Sequence, residues 1–225
     1  MIAPGATTVL ARRSPIDAWY GSNAQGSRLR EAMWLPERLN ASVASGGAVK
    51  LTELSWRRRF GLKGPGAEPW LAARGFTMPA TANSWQVTED VWVGRLCTSE
   101  FLIEGLGAAQ QRVLEAAQKL SAADRPQGVY PVARQDLVIS LQGSALCEVL
   151  RQICSVDFAP LLAAAGRGGG ALVLTSMMGV SVIAAPQLSA DESELTLWID
   201  PSFALYFWST LLAVAAEFGG GVRIA

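Results

Sequence analysis

An α+β fold made of two pseudo-repeated strand–helix–strand–strand–strand–helix units is what this sequence predicts. Three observations predict it. Leu51 to Trp85 holds a strand, a tight turn and a short helix in quick succession. A fainter echo of that stretch returns after residue 136. In each half, three further strand-like segments precede a segment with apolar residues at helical spacing. The expected boundaries are an N-terminal arm over residues 1–49 and one α+β domain over residues 50–225. The two units would span about 50–122 and 129–221, neither burying both faces of its sheet alone.

Composition narrows the function classes. The chain has 225 residues and is 50% hydrophobic, enough for a sizeable core. Nineteen basic residues balance nineteen acidic ones, which argues against a nucleic-acid binder. A neutral surface also gives little colloidal repulsion, as suits a protein held within a complex. There is no histidine, so the commonest general base and the Ser-His and Cys-His dyads are excluded. Cys97, Cys147 and Cys154 are odd in number and lack Cys-x-x-Cys spacing, against a disulfide framework or a zinc site. A reducing cytoplasm is the expected location. Arg12-Arg13 superficially suggests an export signal, but Pro15 and Asp17 follow in place of an apolar core. The longest apolar run, Phe203 to Ala216, is too short to span a bilayer and is expected to be a buried helix.

The arm carries Trp19, Tyr20, Met33, Trp34 and Leu35 among Ala, Gly, Ser and Pro, with a short helix expected over Arg28 to Leu35. It either packs on its own core or anchors a partner through Trp19 and Trp34. In the first unit, Trp56 to Leu62 is extended, Gly64-Pro65-Gly66 turns the chain, and Ala67 to Arg74 is helical until Gly75. Ser84–Thr88, Val91–Cys97 and Phe101–Glu104 follow as strands, with a turn at Glu89-Asp90. Ala108 to Leu120 is a helix with Val113, Leu114, Ala117 and Leu120 on one face. In the second unit, Asp136–Leu141 is a strand, Gly143 a turn and Ala145–Ile153 a helix, with a further short helix over Phe158–Ala165. Gly166 to Gly170 is expected to be a flexible loop. Ala171–Thr175, Val180–Ala184 and Leu195–Ile199 are strands. Asp200-Pro201 then starts a helix that Gly219-Gly220-Gly221 ends. Laid over each other, the units match Leu62 to Leu141, Gly64 to Gly143 and Leu71 to Leu150.

Candidate sites are few. Gly61 to Gly66 is either an anion cradle or simply a tight turn; Gly-Lys-Ser/Thr is absent and Pro65 removes a donor. Arg57, Arg58 and Arg59, with Lys63, form the one basic cluster. It reads as a solvated face, a partner contact or an anion site, with Arg57 and Arg59 on one side of a strand and Arg58 on the other. Glu104 and Asp200 are expected to be helix-start residues rather than catalytic acids, and Cys147 and Cys154 to be core. No catalytic, cofactor-binding or metal residue is assigned. The partner-contact candidates are Trp19, Trp34, Arg57, Arg58 and Arg59.

Leu51, Ser55, Gly64, Ala67 and Leu71 are spaced like the opening motif of the folate-binding domain of the glycine-cleavage T-protein superfamily. A narrower resemblance rests on Leu54-Ser55-Trp56, the run Arg59 to Ala67, Pro79 and Asn83. Phe101 to Gly105, Thr175-Ser176 with Gly179 to Ser181, and Trp198 to Phe203 extend it. These resemble the gamma subunit of heterotetrameric sarcosine oxidase, over roughly residues 48–221 and excluding the arm. The resemblance implies a structural subunit without a cofactor of its own, in a complex that oxidatively demethylates sarcosine to glycine. It places FAD, FMN, NAD, tetrahydrofolate and zinc in alpha, beta and delta partners. The alternatives are a related N-methyl amine complex such as N-methylglutamate dehydrogenase and, in another class, a stand-alone folate-binding or one-carbon transfer protein. Neither nucleic acid nor membrane is an expected partner.

Overall fold

The computed structural model describes residues 11–41, 47–121, 125–190 and 192–225. The arm contributes β1 (Arg12–Arg13), α1 (Asp17–Asn23), β2 (Ala24–Gln25), β3 (Arg28–Arg30), β4 (Met33–Leu35) and β5 (Arg38–Leu39). Strands β1, β4 and β3 form a small sheet, with β1 parallel to β4. The helix expected over 28–35 is instead a β3–β4 hairpin turning through Glu31 and Ala32 at positive φ. The pattern that decides it has period two: Met33 and Leu35 are buried beside Trp56 while Trp34 faces out.

The arm is fastened to the body at Glu53, in β6 (Lys50–Glu53). Glu53 is 3% exposed and accepts from the Ser14 hydroxyl at 2.6 Å and the Tyr20 phenol at 2.8 Å. Ile16 is fully buried in the core that follows, and Trp19 packs edge-on to Trp208 at 5.3 Å. Burial pushes the Glu53 carboxyl above its ordinary value of about 4.5, against the downward pull of Ser14, Ser55, Tyr20 and Arg59. The folded state therefore holds this proton more tightly than the unfolded chain does. Glu53 contributes its full stability below about pH 4.5 and loses it as pH rises through the folded value. In paired urea melts across that window, the wild type should lose ground to Glu53→Gln as pH rises. A wild type that gains on the variant would refute this.

The first unit runs β7 (Arg59–Lys63), α2 (Ala67–Ala72), β8 (Ser84–Thr88), β9 (Val91–Cys97), β10 (Glu100–Gly105) and α3 (Gln110–Leu120). β11 (Tyr130–Val132) links it to the second unit: β12 (Leu137–Gln142), α4 (Leu146–Ile153), α5 (Ala159–Ala163), β13 (Gly169–Ala171), β14 (Val173–Met177), β15 (Val180–Ser189), β16 (Glu192–Ile199) and α6 (Ala204–Glu217). β17 (Gly221–Arg223) follows. One sheet has the order β11-β7-β10-β9-β8-β13, the other β14-β15-β16-β12-β6-β17. Read from β7 the first unit runs β7-β10-β9-β8, and read from β12 the second runs β12-β16-β15-β14, its remaining strand β13 joining the first sheet. The strand preceding each unit joins the opposite sheet: β6 pairs with β12, and β11 with β7.

The two sheets face each other with helices outside. Phe60, Phe101 and Ile103 of the first sheet pack under α2 and α3. Ile139, Leu197 and Ile199 of the second pack under α4, α5 and α6. Between the sheets lie Trp85, Trp92, Leu102, Val138 and Trp198, with Trp92 and Trp198 ring centroids 4.6 Å apart. This is the outcome of strict alternation: Leu102 and Val138 point inward, and their neighbours point to the helices.

Two local expectations change. Gly169 and Gly170 are not loop but edge strand β13, paired with Trp85 and Gln86 of β8. A Cβ on Gly170 would stand 3.2 Å from the Trp85 indole nitrogen, so these glycines serve close approach. On α3 the buried face is Val113, Ala116 and Leu120, leaving Leu114 half-exposed.

Candidate functional site

A buried polar centre forms where β7, β10 and β16 meet. Glu104, on β10, is 1% exposed. It accepts from Arg57 at 3.0 Å, from Arg59 at 3.0 Å and from the Trp198 indole at 3.2 Å. Arg59 spends its other nitrogens on the carbonyls of Asp136 and Leu54, and its side chain is 2% exposed. Ser55 ties the same corner together, accepting from the Val138 amide at 3.1 Å. This overturns two readings. Glu104 is no helix-start residue but the counter-ion of a buried pair. Arg59 is no solvated face, because its partner is the neighbouring strand.

The remaining candidates are dispersed. Arg57 is half-buried on Glu104, and Arg58 points the other way, 3.5 Å from Glu31. Trp19 is half-buried on the core, while Trp34 is 43% exposed opposite Leu29. Asp200 does cap its helix start, accepting from the Ser202 amide at 2.8 Å. Gly64 and Gly66 make a tight turn that closes on Gly128, with the Gly66 amide donating to its carbonyl at 3.0 Å. Cys147 and Cys154 pack partly against the second core, and Cys97 is exposed.

Two residues that the sequence did not mark as site candidates lie beside this centre. Arg12 comes from the arm and Arg134 from the segment after β11. Arg12 donates to the carbonyls of Trp56 at 2.7 Å and Glu31 at 3.2 Å. Burial, and repulsion by Arg58 and Arg59, lower its pKa to about 10. Arg134 pairs with Glu100 at 3.0 Å and lies 3.9 Å from Asp136. Asp136 has one carboxylate oxygen without a hydrogen-bond partner among the described residues. Its burial raises the carboxyl pKa despite Arg134 and Arg59. Arg12, Arg58, Arg59 and Arg134 line an open cleft of about 510 Å³. No spacing rule relates residues 12, 58 and 134; a run of three arginines beside a strand bearing Glu104 was the one available signal. Among the described residues no group of three or more Cys, Asp or Glu is placed to hold a metal ion. Among the same residues no helix is long and apolar enough to cross a membrane.

A chain of the heterotetrameric sarcosine oxidase from Corynebacterium sp. U-96, in complex with pyrrole 2-carboxylate, overlays this one with a TM-score of 0.60 and 21% identity. The overlap covers 95% of this chain and 99% of that one. Glycine cleavage system aminomethyltransferase T from Bartonella henselae overlays with a TM-score of 0.63 and 12% identity. The fold is T-protein-like. That overlay covers 95% of this chain but spans only 59% of the aminomethyltransferase. No protein-family profile matches the chain, and no curated protein sequence matches it. The T-protein-like fold agrees with the α+β architecture expected from the sequence, and at these identities the likeness is one of fold.

Proposed function

We propose that this chain is a non-catalytic, gamma-type structural subunit of a heterotetrameric amine-oxidising flavoenzyme complex of the sarcosine oxidase kind. The observation that carries the reading is coverage: nearly all of this chain overlays nearly all of one chain of such a heterotetramer. The absence of histidine supports it, since an amine oxidation with one-carbon transfer needs proton relays this chain is poorly equipped to supply. So does the use of Glu104 and Glu53, both buried, as structural counter-ion and arm anchor. In this reading FAD, FMN, NAD, tetrahydrofolate and zinc belong to alpha, beta and delta partners. The complex oxidises sarcosine or a related N-methyl amine such as N-methylglutamate. The two similar strand orders are read as an internal duplication.

Gentle purification of the tagged chain from its native host tests this. The expected product is a yellow complex with three partner chains that turns over an N-methyl amine, while the chain alone turns over nothing. A colourless monomer or homodimer overturns it. The overlay with aminomethyltransferase T favours a second reading, a stand-alone folate-binding protein. That reading predicts saturable tetrahydrofolate binding by the isolated chain in calorimetry.

A further inference from the structure

The arginine cleft is charged in a one-sided way. Its lining holds Arg12, Arg58, Arg59 and Arg134 and, among the described residues, no carboxylate. The carboxylates that partner these arginines lie behind them, as with Glu104, or beside them, as with Glu31 and Glu100. Arg12 is the clearest case. Its hydrogen-bond partners among the described residues are two backbone carbonyls, and its charged neighbours are Arg58 and Arg59, whose repulsion outweighs the attraction of Glu31. Arg58 has one ion-pair contact, a long one at 3.5 Å through Nε, and no hydrogen bond from its terminal nitrogens among the described residues. A half-buried guanidinium without a counter-ion is costly, because its hydration is reduced and nothing replaces it. Among the described residues Arg12 has no ion-pair partner and Arg58 only a long one, while Arg59 and Arg134 are paired to carboxylates outside the lining. The hollow keeps a positive potential, centred on Arg12 and Arg58, that an external oxyanion would neutralise.

The lining also has an apolar part. Leu114 of α3 and Val132 of β11 form it, both half-buried, together with Phe60. The Leu114 position is the one by which the α3 face departs from its expected stripe. Part of an apolar helix surface is thereby left facing the cleft instead of the core. The free edge of β11 bears Pro131, which lacks a backbone donor, so another strand has little to pair with there. Recognition at this cleft must therefore come from side chains: guanidinium to carboxylate, and alkyl contact beside it.

We propose that the cleft is a docking site for an acidic segment of a partner polypeptide, in which carboxylate side chains meet the arginines and alternate with apolar side chains that lie on Leu114 and Val132. This names the partner chemistry of the subunit role proposed above and rests on that reading. The cleft is open rather than enclosed, and its cations are spread over the arm, β7 and the segment after β11. That arrangement suits several carboxylates carried on one chain better than a single small anion.

Calorimetry on the full chain tests the docking site with three probes: the peptide acetyl-Glu-Leu-Glu-Leu-Glu-amide, its Gln-Leu counterpart, and sodium phosphate. The acidic peptide should bind saturably and weaken as salt rises from about 50 to about 200 mM. Its affinity should fall at least about tenfold in an Arg58→Gln/Arg134→Gln variant, as expected when charged anchors are removed. Leu114→Asp, which brings a repelling charge to the apolar wall and leaves the arginines in place, should weaken it likewise. Equal binding of the neutral peptide, phosphate binding as tight as the acidic peptide, or no heat at about 1 mM peptide overturns the inference. Purifying the tagged Arg58→Gln/Arg134→Gln chain from the host keeps the two readings apart. Partners retained with unchanged salt resistance, and no peptide binding by the wild type, remove the docking site and leave the subunit role. Peptide binding by the wild type with no partners co-purifying with the tagged wild-type chain removes the subunit role instead.

Discussion

Glu104→Ala destabilises the folded chain by about 3–5 kcal/mol, as expected when one member of a buried ion pair is removed and the other is left behind. For a chain of this length that is a fall in melting temperature of roughly 6–20 °C. The size follows from what is orphaned. Arg59, its side chain 2% exposed, loses its counter-ion with little water to replace it, and the Trp198 indole loses its acceptor. Arg57 suffers less, because its side chain is 22% exposed and can rehydrate. The competing consideration is that the ion pair itself adds little over a well-packed apolar pair, since desolvation cancels most of the Coulomb attraction. Arg59→Met combined with Glu104→Leu should therefore cost less than Glu104→Ala alone. The residual penalty would come from the carbonyls of Leu54 and Asp136, which lose the Arg59 donors. Thermal and urea melts of the two variants decide it. A loss below about 1 kcal/mol for Glu104→Ala would mean that water reaches Arg59 and the pair is not sealed.

Gly143→Ala is the second large effect. Gly143 has φ near +132°, a conformation open in practice to glycine alone. Backbone strain there costs on the order of 1–3 kcal/mol before any contact is considered. The added Cβ would also drive into the carbonyl oxygen of Ala48, a backbone atom that cannot swing aside. The combined loss should be about 3 kcal/mol or more. Gly64→Ala, with φ near +109° and the Gly128 carbonyl in the way, should behave alike. Gly168→Ala is the control: nothing lies within 4 Å of its would-be Cβ, and its φ is not positive. It should change stability by no more than about 1 kcal/mol, in either direction. A Gly143 variant as stable as the Gly168 variant would show that the turn can relax away from β6.

The order of elements was legible because local signals agreed with the fold. Glu89-Asp90 does turn β8 into β9 with both residues at positive φ, and Asp200-Pro201 does open the last helix. The β3–β4 hairpin was missed because its strands are three residues each, too short for period two to beat period 3.6 without knowing that Trp56 lies beneath Met33 and Leu35. Gly169 and Gly170 resembled a linker because glycine's absence of bulk is visible in a sequence, while the indole it accommodates is not. The candidate site was legible only in its basic half. Arg57 to Arg59 announce themselves as a run, but Glu104 is nearly fifty residues from Arg57 in sequence and hydrogen-bonded to it in space. Arg12 and Arg134 join the cleft only through tertiary structure, one by way of an arm whose own anchor is Glu53.

The exchange of β6 and β11 between the sheets has a consequence for synthesis on the ribosome. When residues up to Leu120 have been made, the first sheet still lacks β11 and β13, and β6 has no β12 to pair with. The second sheet is not complete until β17 lies parallel to β6, with Gly221 against Lys50. Neither half can close its hydrogen-bond ladders while the other is still in the exit tunnel. The nascent first half therefore carries unpaired strand edges throughout translation, the species most prone to aggregate. Folding then proceeds through long-range contacts formed late, the regime in which rates are slow. Chaperone occupancy during translation, more than the stability of the finished fold, would then set the yield of this chain.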